Sequence, residues 1–468
     1  MNLFYTTVLT SSLLFTSSLV KAQIPAALDS ELQHTLDSMK TILGAKSLSA
    51  SIQTSDGSTW AHAVGVSSVL PAAEVTPNDA YLIGSVTKTM TSACILQLAE
   101  EGILHLDDSL HEWLPAMPYI NPNIRIRQLL NHTSGIYDVL SNPDHQDSLM
   151  ADMSRIWTPE ELIERFIAPS LFQPGASWSY SNTNYFLLGM IIREATGNPF
   201  YTELRNRFLN PLQLNSFAIP AFETLTSPVA HLWLDITGDG VLDDVNDFYM
   251  NYLALNSTAG AAGGYFSTPT DCTRWMRSYM RGDLLSSAIM NEAKTTVTVG
   301  GNIQQYGLGL MHKTSGFLGY EAYGHGGDLA YHASSWYFPE FDQSITVFTN
   351  DNNKNSWTLI PVVRELLRTY VANHTASLQE NILQNFQISP VPFTDELNVS
   401  WESFSAGEQF EVVLTDASGR TIREQEEIAC TDSHFEARLN NLNSLPTGVY
   451  FVKISGRNGT SKTAKVLK

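Results

Sequence analysis

Three short motifs, in chain order, carry the residue types needed for acyl transfer through a serine ester: Ser85-Val86-Thr87-Lys88, Tyr180-Ser181-Asn182 and His325-Gly326-Gly327. They supply a hydroxyl nucleophile, two proton carriers, an amide able to orient a substrate, and a Gly-rich backbone able to receive an oxyanion. A serine hydroxyl is a poor nucleophile until a base takes its proton, so the set works only if Lys88 or Tyr180 reaches Ser85.

The residues after Lys88 read as a helix, with Met90, Ala93, Cys94, Leu96 and Leu98 apolar and Gly102 as a stop. With Ser85 at the helix start, Lys88 lies one turn on, on the same face. An amine acts as a base near neutral pH only if its pKa falls, and burial and the positive end of the helix dipole both push it that way. The plainer reading of the pair is a capping Ser beside a solvated Lys. Tyr180 lies in a polar loop that leads into a Leu-, Ile- and Met-rich helix. Its hydroxyl can carry a proton between serine and leaving group, and Asn182 can donate to a substrate carbonyl; the plainer reading is an aromatic anchor with Asn182 capping the next helix. The third motif enters a strand whose expected partner is Ile345-Thr-Val-Phe-Thr349. Glycines such as Gly327 permit close approach of substrate to a strand edge, where a backbone N–H can complete an oxyanion hole with the N–H of Ser85. His325 is placed to meet a substrate carboxylate or assist proton transfer, whereas His332 reads as structural.

The elements that must position these groups are legible in part. Residues 47–54 alternate as a strand, and a helix runs from 357 to about 372. Thr158-Pro159-Glu160-Glu161 has the cap, the first-turn proline and the capping-box glutamate of a helix start, followed by Leu162, Ile163, Phe166 and Ile167 on one face. The segment Asp235-Ile-Thr-Gly-Asp-Gly-Val-Leu-Asp243 places Asp235, Thr237, Asp239 and Asp243 where an EF-hand loop has ligands. Its twelfth position is Asn246 instead of Glu, so an acidic turn between two strands is the preferred reading.

At 468 residues the chain exceeds the size of one hydrophobic core. Its net charge of −20, from 27 basic and 47 acidic residues, excludes nucleic acid as a partner, since that needs a basic footprint. Three widely spaced cysteines give no disulfide framework and no zinc site, and Cys94 reads as a buried thiol. Residues 1–22 read as a signal peptide, with an apolar stretch too short to span a membrane and cleavage expected after Ala22; no transmembrane helix is expected. The composition then defines a main domain over 28–375, a linker over 376–388 with prolines just beyond it, and a segment of short alternating strands over 389–468 that suggests a small β-sandwich. Pro390-Val-Pro-Phe393, Leu445-Pro-Thr-Gly-Val-Tyr450 and Thr463-Ala-Lys-Val-Leu-Lys468 make this last segment resemble the C-terminal sorting domain of proteins exported by the type IX secretion system of the Bacteroidetes. That resemblance implies a secreted or cell-surface protein and the type IX machinery as a partner.

The main domain resembles the serine β-lactamase-related family, which spans class C β-lactamases, D-Ala-D-Ala carboxypeptidases, D-aminopeptidases and certain esterases. The resemblance rests on the three motifs together with Leu129-Leu-Asn-His-Thr-Ser-Gly-Ile136 and Ala262-Gly-Gly-Tyr-Phe-Ser-Thr-Pro-Thr-Asp271. It implies an α/β (α+β) fold, with an antiparallel sheet flanked by helices, a helical lobe, and the active site between them. It implies Ser85 as nucleophile, Lys88 and Tyr180 as base and proton relay, Asn182 and His325 at the substrate, and the N–H groups of Ser85 and Asp328 as the oxyanion hole. No cofactor is implied. Class C β-lactamases carry Lys in place of His325 and usually Thr in place of Gly326. His325 therefore favours a small-molecule or peptide substrate of the peptidase side, D-Ala-D-Ala carboxypeptidase-like or D-amino-acid peptidase, over efficient β-lactam hydrolysis. A carboxylic-ester hydrolase or β-lactamase, and a non-catalytic penicillin-binding sensor, are the alternatives.

Overall fold

Strand β1 (Ser47–Gln53) buries both of its faces, Leu48, Ala50 and Ile52 on one and Ser47, Ser49 and Ser51 on the other. A strand buried on both sides is central and covered by other elements above and below. In the computed structural model, which describes residues 24–245, 253–382, 384–402, 410–425, 429–431, 434–456 and 461–468, β1 sits inside a nine-stranded antiparallel sheet. The other strands are β2 (Thr59–Val69), β3 (Ala72–Glu74), β4 (Val297–Gly300), β5 (Gln304–Tyr306), β6 (Met311–Lys313), β7 (Ala322–Leu329), β8 (Tyr331–Phe338) and β9 (Gln343–Thr349), in the spatial order β3-β2-β1-β9-β8-β7-β6-β5-β4. The expected pairing of the third-motif region holds: β8 pairs with β9 from His332 opposite Thr349 to Phe338 opposite Gln343.

Helix α1 (Ala26–Leu43) packs on β1 and β2. The lobe beside the sheet is built from α2 (Thr87–Glu100), α3 (Pro159–Phe166), α4 (Thr183–Thr196) and α5 (Leu253–Gly263), with α2, α4 and α5 in mutual contact. Helix α3 has the expected capping box: the Glu161 N–H donates to Thr158 Oγ1 at 3.2 Å and the Thr158 N–H to Glu161 Oε2 at 3.1 Å. Leu162, Ile163 and Phe166 face the core. Helix α6 (Pro269–Arg281) packs on β1, β8 and β9, and its Trp275 Nε1–H reaches Thr89 Oγ1 of α2 at 2.8 Å. One continuous apolar core thus joins sheet and lobe, and the site can be held from both.

The chain divides into two compact units, Met1–Leu367 and Arg368–Lys468. The second contains two four-stranded antiparallel sheets around a core that includes Trp401, Phe410, Phe435 and Tyr450. The segment expected as a linker, 376–388, is a correction: helix α7 (Ile360–Ile382) continues into it, and Gln384–Ser389 pairs with Leu397–Glu402. The reason is alternation, since Phe386 and Ile388 fall on one face and pack on the core of the second unit. The expected signal peptide and Asn246 lie outside the described residues. Asp235 and Asp243 flank the turn of a hairpin made by Leu232–Leu234 and Asp243–Val245, in agreement with the acidic-turn reading. Among the described residues, no helix is long and apolar enough to cross a membrane.

Candidate active site

Ser85 occupies a 3-10 turn, Gly84–Val86, that feeds directly into α2, so Lys88 falls in the first turn of the helix beneath it. Lys88 is fully buried, and its Nζ has three neighbours: Ser85 Oγ at 3.0 Å, Asn182 Oδ1 at 2.7 Å and the Ala262 carbonyl at 2.7 Å. Two of these can only accept, while the serine hydroxyl can donate. A neutral amine has two N–H groups and one lone pair, so it fits with its N–H groups on Asn182 and Ala262 and its lone pair toward Ser85. Burial lowers the ammonium to about 7 against the upward pull of the Asp138 carboxylate.

Asn182 is oriented from behind: its Nδ2 donates to Asp138 Oδ2 at 2.9 Å, which fixes Oδ1 toward Lys88. Burial raises the pKa of Asp138, a residue that no sequence motif singled out. Tyr180 lies across the same amine, with Lys88 Nζ 4.9 Å from its ring centroid. The Tyr180 hydroxyl is buried and makes no hydrogen bond of good geometry. Burial holds it as a phenol, its pKa raised above the ordinary value although Ser85 pulls it down.

The third motif approaches Ser85 backbone to backbone. A Cβ on Gly327 would lie 1.9 Å from the Ile83 carbonyl and 3.2 Å from the Ser85 nitrogen, and one on Gly84 would lie 2.9 Å from the Asp328 nitrogen. Only glycines permit this contact, which brings the Ser85 and Asp328 amides side by side. The cleft between turn and strand encloses about 280 Å³, with Ser85, Tyr180, Asn182, His325 and Asp328 in its walls.

His325, expected to meet a substrate carboxylate or assist proton transfer, has partners on both ring nitrogens within the fold. It is fully buried, Nε2 meets the Tyr306 hydroxyl at 2.9 Å, and Nδ1 meets the Gly326 carbonyl. Tyr306 in turn lies 3.3 Å from His132 Nε2, while His132 Nδ1 receives the Ser181 N–H at 3.2 Å. The Ser181 bond places the His132 proton on Nε2, which donates to Tyr306, and the Gly326 carbonyl, which can only accept, places the His325 proton on Nδ1 and leaves its Nε2 to accept from Tyr306. Burial, then the nearby Lys88, push His325 down to about 3 and His132 well below its ordinary value, so both rings stay neutral. The His132 ring also packs against Tyr180, 4.2 Å between centroids and tilted by 30°. His132 sits inside the Leu129–Ile136 block, where a lone His among apolar, Asn, Thr and Ser residues was the available signal; nothing in sequence tied Tyr306 to it.

His332 is tied to the motif after all. Its Nδ1 bonds Asp328 Oδ1 at 2.7 Å, and Ser356 adds its N–H to Oδ1 and its hydroxyl to Oδ2, both at 2.6 Å. Against the burial that would raise it, these bonds hold the Asp328 carboxyl below its ordinary value. Cys94 is buried, as expected, which pushes its thiol up to about 12.

Comparison with known proteins agrees with this geometry. Residues 37–361 match the family described as Beta-lactamase, and residues 387–468 match the Secretion system C-terminal sorting domain, which indicates export by the type IX route to the cell surface or beyond. Penicillin-binding protein 4* of Bacillus subtilis is 27% identical over 269 residues, covering 54% of this chain and 57% of that one. Protein flp of Staphylococcus aureus strain N315 is 28% identical over 338 residues, covering 69% of this chain and 63% of that one. The chain therefore spans less than two thirds of the length of these curated relatives. A D-stereospecific amidohydrolase from Streptomyces sp. superposes with a TM-score of 0.61 at 30% identity, covering 69% of this chain and 94% of that one. A D-amino acid amidase from Ochrobactrum anthropi SV3 shares the fold, with a TM-score of 0.64 at 24% identity over 75% of this chain and 100% of that one. A buried lysine under a serine, framed by a tyrosine loop and a glycine-rich strand, within a matched region covering more than half of the sequence, means that this chain belongs to the beta-lactamase family.

Proposed function

We propose that the chain is an exported serine hydrolase that is acylated at Ser85 by peptides or amides of D-amino acids and passes the acyl group to water. The observation that carries this reading is Lys88, buried, held at about 7 and 3.0 Å from Ser85 Oγ. Neutral Lys88 accepts the Ser85 proton as the hydroxyl oxygen attacks the substrate carbonyl. The adjacent Ser85 and Asp328 N–H groups receive the developing oxyanion. Tyr180, kept protonated by burial, donates to the leaving nitrogen and is reprotonated through Lys88. Water then attacks the ester by the same path in reverse. Asn182, with one Nδ2 hydrogen on Asp138, offers the other to the substrate amide.

The D-residue preference draws on likeness to the D-stereospecific amidohydrolase and the D-amino acid amidase. Efficient β-lactam turnover is not expected, because both ring nitrogens of His325 are committed and, among the described residues, no Lys or Arg lines the cleft. Residues 1–22 and the sorting domain serve export, and 28–375 carries the catalysis. The test is labelling of the mature protein with a fluorophosphonate, together with turnover of D-amino-acid amides. Labelling at Ser85, lost along with turnover in Ser85→Ala, is expected. No labelling and no turnover would favour a non-catalytic binding module.

A further inference from the structure

We propose that the Asp328 carboxylate selects substrates that carry a cationic amine close to the scissile carbonyl and rejects those that end in a free carboxylate there. The proposal rests on Ser85 being the nucleophile. Among the described residues that line the cleft, Asp328 is the sole permanently charged side chain; no Arg or Lys shares the walls. Lys88 lies beneath the floor with its N–H groups engaged, and His325 is neutral.

Asp328 differs from an ordinary surface carboxylate in being fixed. Its side chain is 42% exposed, yet three hydrogen bonds from His332 and Ser356 hold it in one orientation. A carboxylate has about four acceptor sites, so the unused capacity on Oδ2 remains for a ligand. His332 reaches Asp328 only through Nδ1, and its Nε2 is buried without a hydrogen-bond partner among the described residues. The backbone of the same residue stands against the Gly84 turn that carries Ser85, so a group bound to the side chain is held beside the reacting carbonyl. An ammonium there gains Coulomb attraction and a charge-assisted hydrogen bond, while a carboxylate is repelled. The net charge of −20 biases approach in the same sense.

The experiment compares D-phenylalanine amide with its N-acetyl derivative and with an acylated peptide ending in D-Ala-D-Ala. It reads kcat/KM or, where turnover is slow, the ability of each compound to slow fluorophosphonate labelling of Ser85. The wild-type protein should prefer the free amine by about tenfold or more, a preference that weakens with added salt. In Asp328→Asn the ratio should shrink toward parity and the carboxylate-ended peptide should gain relative to the amide. Equal or better use of the N-acetyl or carboxylate-ended compound by the wild-type protein would overturn the proposal. So would a salt-independent amine preference, a readout that does not need the variant to fold. Ser85 labelling without an amine preference would defeat this inference alone; absence of labelling would defeat the catalytic reading beneath it.

Discussion

Replacing Lys88 with Met keeps a side chain of similar length and removes the titrating group. The amine falls from its ordinary 10.5 to about 7 because it is buried, and at about 1.4 kcal/mol per pH unit the protonated form costs about 5 kcal/mol in that position. A depressed lysine binds fewer protons folded than unfolded, so its cost is full below about pH 7, shrinks between about 7 and 10.5, and vanishes above. Wild-type stability should therefore rise relative to Lys88→Met by about 2 kcal/mol from pH 7 to pH 9. The variant also strands the acceptors Asn182 Oδ1 and Ala262 O, a penalty of about 1–3 kcal/mol each, but one that does not change with pH in this window. His325, near 3, is neutral throughout the window and cancels from the comparison. Urea unfolding of both proteins at pH 7 and pH 9 measures the difference. In the wild-type protein, Ser85 labelling and kcat/KM should climb with pH to a midpoint near 7 and then level. A stability difference that is flat with pH, or a kinetic midpoint near 10, would mean that Lys88 stays charged in the fold and cannot be the base.

Two further substitutions separate the proton relay from its supports. Tyr180→Phe should slow acylation by about 10²- to 10³-fold in a single-turnover assay while leaving urea stability equal or higher, because the hydroxyl it removes is buried and makes no hydrogen bond of good geometry. Tyr306→Phe should lower stability by about 1–3 kcal/mol in the same unfolding assay, since it leaves His132 Nε2–H and His325 Nε2 buried and unpaired.

What could be read in sequence was whatever is local. Ser85 and Lys88 meet because three residues make one helical turn, and the Thr158 capping box, the strand at 47–53 and the β8–β9 pair follow from spacing alone. What sets the chemistry of the site is not local. Lys88 is buried by partners 94 and 174 residues away, Asn182 and Ala262. Tyr306 reaches His325 only because β5, β6 and β7 pair in one register, a tertiary outcome that motif spacing does not encode. The same separation explains why the bonds on both His325 nitrogens are not legible in sequence, and why His332 reads as unconnected although a hairpin sets it opposite Asp328. One physical cause then orders the whole cleft. Burial holds the Lys88 amine at about 7, keeps Tyr180 a phenol and keeps both histidines uncharged. Asp328, exposed and braced, is left as the fixed charge in the cleft wall.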